Sequence, residues 1–238
     1  MATQPMLIGH KWAFDYLHKQ QSRGSLRRSY LILGPARVGK TTLALTFAMS
    51  LHCTDPADSM PCGTCRTCTR IGRQAYPDVA VISPAGSTFT IDQVRDLESE
   101  LPLTPREATI KTRILTGFEL ASREAQNALL KTLEEPPSHA LLFLIASEPD
   151  ALAPTIVSRC QALHLRPVPV AELEAALRAV SVPPDTARRL AIQSGGRPGW
   201  ALAALEDPAL QDERAQALRT AAALLGQSRC ERLRYAES

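Results

Sequence analysis

No apolar run reaches the ~18 residues a membrane-spanning helix needs, and the opening Met1-Ala2-Thr3-Gln4-Pro5 lacks the basic and then apolar pattern of a secretory signal. The chain therefore reads as cytoplasmic, with no membrane partner. Aromatic residues are scarce, at 5%, and so is an excess of either charge: 27 Lys and Arg against 24 Asp and Glu leave +3. A balance this even argues neither for nor against nucleic acid, because the basic groups can be spread evenly or gathered on one face. There is no internal repeat and no low-complexity segment. What is plentiful is apolar content, 45% of the 238 residues, which excludes disorder, collagen and a coiled rod. At roughly 100–200 residues per domain, the length suits one larger domain and one small one.

Residues 30–33 form a short apolar run that meets a Gly-bounded turn. Leu43, Phe47 and Leu51 then recur at helical spacing with Ala44 and Ala48 beside them, so this segment predicts strand, loop and helix. Further apolar runs at 79–82, 114–115, 141–146 and 162–165 are separated by helical patterns. One spans 90–101 and opens on Thr90-Ile91-Asp92-Gln93, which fits a capping box. Another spans 122–135 and stops at Pro136-Pro137. Strands alternating with helices indicate an α/β domain with a largely parallel sheet that closes near Leu165. After Arg166-Pro167-Val168-Pro169 the composition shifts to Ala, Leu, Arg and Glu. Helical patterns at 170–180, 184–194 and 199–206 predict a small helical domain, and one more helix follows Pro208.

Gly34-Pro35-Ala36-Arg37-Val38-Gly39-Lys40-Thr41 fits G-x-x-x-x-G-K-[ST] in the required setting, after a strand and opening a helix. In such a loop, backbone N–H groups cradle phosphates. The Lys40 ammonium reaches the β- and γ-phosphates, the Thr41 hydroxyl ligates Mg²⁺, and Thr42 continues the turn. The bland alternative is a chance Gly-rich turn. Hydrolysis also needs a carboxylate at the end of another strand. The strand 111–115 is followed by Thr116-Gly117-Phe118-Glu119, with Glu119 three places late. The cradle is present and the metal and water chemistry is not.

Six cysteines are present, four of them as Cys53-x8-Cys62-x2-Cys65-x2-Cys68. Four thiols at this spacing suit tetrahedral Zn²⁺ in a closed structural site, with Arg66, Arg70 and Arg73 near enough in sequence to offset its charge. Disulfides or unpaired thiols are the alternatives, less suited to a reducing compartment. Cys160 and Cys230 stand alone, and Arg159 in Ser158-Arg159-Cys160 reads by itself as a surface residue or a structural ion pair.

The phosphate loop, the four-cysteine insertion, the run Asn127-Ala128-Leu129-Leu130-Lys131-Thr132-Leu133-Glu134-Glu135-Pro136-Pro137 and Ser158-Arg159-Cys160 occur in one order, over about residues 7–206. Together they resemble the bacterial DNA polymerase III clamp loader, a branch of the AAA+ ATPases. The resemblance implies an AAA+ domain over 1–166 with five parallel strands and a zinc module at about 52–73. It further implies a three-helix lid over 167–207 and, over 208–238, the start of a helical collar. The motor subunits (γ/τ) of this family carry an Asp-Glu pair where this chain has Thr116-Gly117, and a lid arginine where it has Gly199. Both departures, with Thr88-Phe89-Thr90-Ile91-Asp92-Gln93-Val94-Arg95, resemble the delta-prime type, which does not hydrolyse ATP. The implied role is to work with γ/τ and δ subunits in loading the sliding clamp onto primer-template DNA, binding ATP without hydrolysing it. Arg159 would serve as an arginine finger in a neighbour's ATP site. An active motor subunit using Glu119, and a zinc module that grips DNA directly, are the competing readings.

Overall fold

The computed structural model describes residues 6–56 and 60–225, so Cys230, the first five residues and the end of the expected collar segment lie outside the described residues. The chain divides between Val168 and Pro169 into two compact units.

The first unit holds five strands: β1 (Ser29–Leu33), β2 (Val79–Ile82), β3 (Lys111–Leu115), β4 (Ala140–Ala146) and β5 (Gln161–His164). All pair in parallel, in the order β2-β3-β4-β1-β5, with Leu31 opposite both Leu144 and Ala162. Strands β1, β3 and β4 are buried along their whole length, the expected state of the centre of a parallel sheet covered on both faces. The two-residue side-chain period sorts them. Leu31, Leu33, Leu142 and Leu144 pack with Leu97 of α4 (Ile91–Glu100) and Leu129 and Leu133 of α5 (Arg123–Glu134). Tyr30, Ile32, Phe143 and Ile145 face Phe14 and Leu17 of α1 (Lys11–Ser22) and Leu43 and Phe47 of α2 (Lys40–His52).

Strand β3 is buried although it reads Lys-Thr-Arg before its apolar pair. Lys111 Nζ donates to the Glu100 carbonyl at 2.8 Å. The Arg113 guanidinium donates to the Thr112 carbonyl at 2.9 Å and pairs with the Glu100 carboxylate. Thr90 caps α4 as its sequence predicts: its Oγ1 accepts from Gln93 N at 3.4 Å, and Gln93 Oε1 accepts from Thr90 N at 3.1 Å. Two helices went unanticipated, α1 and α3 (Arg66–Gly72), the second nested inside the cysteine insertion. Strands β1, β4 and β5 each begin one residue earlier than the apolar runs alone suggest. The short α6 (Pro154–Arg159) precedes β5.

The second unit is helical: α7 (Val170–Ala179), α8 (Pro184–Gln193), α9 (Pro198–Glu206) and α10 (Pro208–Leu225). Leu173, Leu177, Leu190 and Trp200 are buried in it.

Candidate functional site

In open parallel sheets ligands bind at the carboxyl ends of the strands where the strand order reverses, and β1 delivers the Gly34 loop to that end. Gly34 has φ +147°, and a Cβ there would lie 2.4 Å from the Leu165 carbonyl oxygen, so only glycine fits. Gly39, at φ +111°, turns the chain into α2 and leaves Lys40, Thr41 and Thr42 in its first turn. Lys40 is buried, and its Nζ donates to the carbonyls of Gly34 at 2.5 Å and Pro35 at 2.9 Å and to Ser147 Oγ at 3.2 Å. Burial lowers the Lys40 pKa, and the negative charge of Glu119 works against that shift. Thr41 and Thr42 are half-buried.

Residues beyond the motif complete this end of the sheet. Thr116 follows β3, its Oγ1 lying 2.9 Å from Ser83 Oγ and donating to the Ile82 carbonyl at 3.3 Å. Gly117, at φ +65°, then starts a single helical turn, Phe118–Leu120, that carries Glu119 back across the sheet. Glu119 Oε1 accepts the Ser147 N–H at 3.1 Å, while its Oε2 is buried without a partner among the described residues. The sequence puts Glu119 three places beyond the apolar pair of β3 and offers it only as the carboxylate of the competing motor reading; it does not single out Ser147. The signal for Ser147 was its place immediately after the apolar run 141–146, at the carboxyl end of a central strand.

The four cysteines converge as expected: their sulfurs all lie within 4.8 Å of one another. A tetrahedron of Zn–S bonds of about 2.3 Å has edges of about 3.8 Å, a size that sulfurs gathered this closely can adopt. Cys53 and Cys62 sulfurs stand 3.5 Å apart, and the four are free thiols. Backbone N–H groups of Cys62, Cys65 and Cys68 point at the sulfurs of Cys53, Cys62 and Cys65 at 3.3, 3.3 and 3.4 Å, the donor geometry that favours thiolates. Burial raises the Cys65 thiol, but the N–H groups of Cys68 and Thr54 outweigh it and bring it down to about 6. The N–H of Cys65, ahead of that of Thr64, lowers the Cys62 thiol, whereas burial raises that of Cys68. Cys68 packs with Met49, Ile71 and Tyr76, anchoring the module to α2. The donor set could hold a metal ion. Of the three nearby arginines, Arg70 is committed elsewhere: it forms a two-pronged pair with Glu107 at 2.6 and 2.9 Å and lies 5.1 Å from the centre of the Tyr76 ring.

Arg159 ends α6. Its Nε donates to Glu134 Oε1 at 2.7 Å, and its Nη1 donates to the Thr155 carbonyl at 3.1 Å. Its neighbour Cys160 is half-buried, packs against the α4–α5 side of the core, and has a thiol that desolvation pushes up to about 12, as befits a small apolar packing residue. Gly199 lies in the first turn of α9.

A phosphate loop at the carboxyl end of β1, an inner strand of a five-stranded parallel sheet, followed by a helical unit, defines a P-loop protein of the AAA+ class. The same fold appears in the RuvB Holliday junction branch migration motor of Thermotoga maritima, at 19% identity over 82% of this chain and 59% of that one, with a TM-score of 0.51. Residues 9–169 match the protein family "DNA polymerase III, delta subunit", and the chain belongs to that family, among the clamp-loader AAA+ proteins. It is 37% identical to the DNA polymerase III subunit delta′ of Pseudomonas aeruginosa over 86% of this chain and 63% of that protein. To the subunit delta′ of Bacillus subtilis it is 34% identical, over 74% and 53%. To the subunit tau of Escherichia coli it is 33% identical, over 70% of this chain and 26% of that one. The chain thus spans about a quarter of the tau subunits and somewhat over half of the delta′ subunits it matches. Among the described residues, no helix is long and apolar enough to cross a membrane.

Proposed function

We propose that this chain is a delta-prime-type, non-hydrolysing subunit of the cytoplasmic DNA polymerase III clamp loader. It braces γ/τ and δ subunits while the assembled complex places a sliding clamp on primer-template DNA. The carrying observation is the end of β3: Thr116 and Gly117 offer no carboxylate, and Thr116 Oγ1 is tied to Ser83 and Ile82. Phosphoryl transfer depends almost wholly on positioned charge, so a loop lacking that carboxylate binds without turning over. Gly34, Gly39, Lys40, Thr41 and Thr42 hold ATP, with the Thr41 hydroxyl toward Mg²⁺. Cys53, Cys62, Cys65 and Cys68 hold a structural Zn²⁺ that fixes the insertion between α2 and β2. Arg159 acts in trans: its planar, permanently charged fork suits two phosphate oxygens of a neighbour's ATP.

The alternative, an active motor subunit, draws on one observation, the unpartnered Glu119 Oε2 near Lys40. ATP turnover by the purified chain separates the two. The delta-prime reading expects no turnover above background, with Lys40→Ala and Glu119→Gln indistinguishable from the parent. Turnover near 1 per second, at the low end of the usual enzyme range, that both substitutions abolish would establish the motor reading.

A further inference from the structure

At the amino-terminal end of the sheet lies a cavity of about 400 Å³, lined by Arg27, Arg28, Ser29, Glu134, Ser158 and Arg159 among others. The five residues of β1, roughly 16 Å at strand rise, separate it from the Gly34 loop, so it is not the chain's own phosphate cradle. Its charge is lopsided. Three arginines border it, and Glu134, the only acidic residue of its lining, is already paired with Arg159. Arg27 is exposed and Arg28 half-buried, and neither side chain has a hydrogen bond or ion pair among the described residues. A second, independent sign is Ser29, 6% exposed, whose Oγ has no hydrogen-bond partner among the described residues. A buried hydroxyl left unpaired costs free energy, as does crowding of like charge, and an oxyanion relieves both.

We propose that this cavity is an oxyanion cradle that receives the terminal phosphates of a nucleoside triphosphate carried by an adjoining subunit. Arg27 and Arg28 are further trans-acting cations beside Arg159, with the Ser29 hydroxyl behind them. Guanidinium groups suit the task because each presents a rigid fork of donors to phosphate oxygens. The volume falls within the usual range of ligand clefts, about 300–1,000 Å³. Glu134 keeps Arg159 folded against α5 until phosphate oxygens compete for the same donors. This inference rests on the trans-acting reading of Arg159 given above.

The test uses the full chain assembled with motor and δ subunits. Complex mass and ATP turnover are measured for the parent, Arg159→Ala, the double variant Arg27→Ala/Arg28→Ala, and Arg27→Lys/Arg28→Lys. The cradle predicts an intact complex whose turnover falls roughly tenfold in the double alanine variant, with partial recovery in the lysine variant, which keeps charge without the fork. If only Arg159→Ala lowers turnover, the cradle is wrong and the finger stands. If neither does, the finger reading fails and takes the cradle with it. Loss of assembly in the double alanine variant would make these arginines interface residues and overturn the cradle. So would salt-dependent binding of primer-template DNA by the isolated chain that the same variant abolishes, since that would assign the cavity to nucleic acid.

Discussion

Glu119 Oε1 accepts the backbone N–H of Ser147 at 3.1 Å, joining the turn after β3 to the end of β4 beside Lys40. A carboxylate used in this way is part of the loop's architecture, fixing where Ser147 meets the Lys40 ammonium. The loop around Lys40 is therefore tied to the end of β4, while Thr116 and Gly117, directly after β3, carry a hydroxyl and no side chain.

The cysteine module should depend on metal. Structural Zn²⁺ contributes on the order of 10 kcal/mol to a small module, so Cys65→Ser should lose zinc and open the segment around α3 while the sheet stays folded. Elemental analysis combined with hydrogen exchange checks this. Freshly purified parent protein without zinc would contradict the assignment.

Gly34→Ala puts a methyl group 2.4 Å from the Leu165 carbonyl at a backbone angle that L-residues avoid. The expected cost is at least about 2 kcal/mol, together with loss of ATP binding as the loop shifts. Urea denaturation and calorimetric titration with ATP measure the two effects.

Asp78 is buried, and its carboxylate accepts N–H groups of Arg106, Glu107 and Ala108 at 2.8, 2.7 and 2.9 Å. Burial alone would raise its pKa, but these bonds outweigh it and the value is lowered. With the folded pKa below the unfolded one, Asp78 stabilises the fold above the ordinary carboxylate range, near 3.9. That contribution is lost as pH falls through the depressed folded value. Asp78→Asn should cost about 2–3 kcal/mol at neutral pH, and the gap from the parent should narrow as pH falls below about 4. Denaturation curves at pH 7 and pH 3 decide it.

Periodicity made the sheet and the lid-like helices legible, since the buried strands read as apolar runs and Thr90 and Gln93 announced the start of α4. The thiol cluster was legible from its spacing alone. The contact of Glu119 with Ser147 was not, because it depends on a one-turn helix after Gly117 that hydrophobic pattern does not encode. Arg27, Arg28 and Ser29 were silent for another reason: they meet Arg159 only through the pairing of β1 with β5, a contact between segments about 130 residues apart in the sequence. The pairing of Arg159 with Glu134 is the structural ion pair that its sequence setting taken by itself suggests.

The most direct test of the account is ATP turnover by the assembled complex carrying Arg159→Ala in this chain. Trans-acting arginines contribute roughly 10³ to 10⁵ in rate at the site they serve. The account predicts that the variant folds, keeps its zinc and assembles, yet lowers ATP turnover and clamp loading, with Arg159→Lys restoring little. A complex that loads clamps at the parent rate with Arg159→Ala would contradict it, leaving Arg159 as the partner of Glu134 and no more.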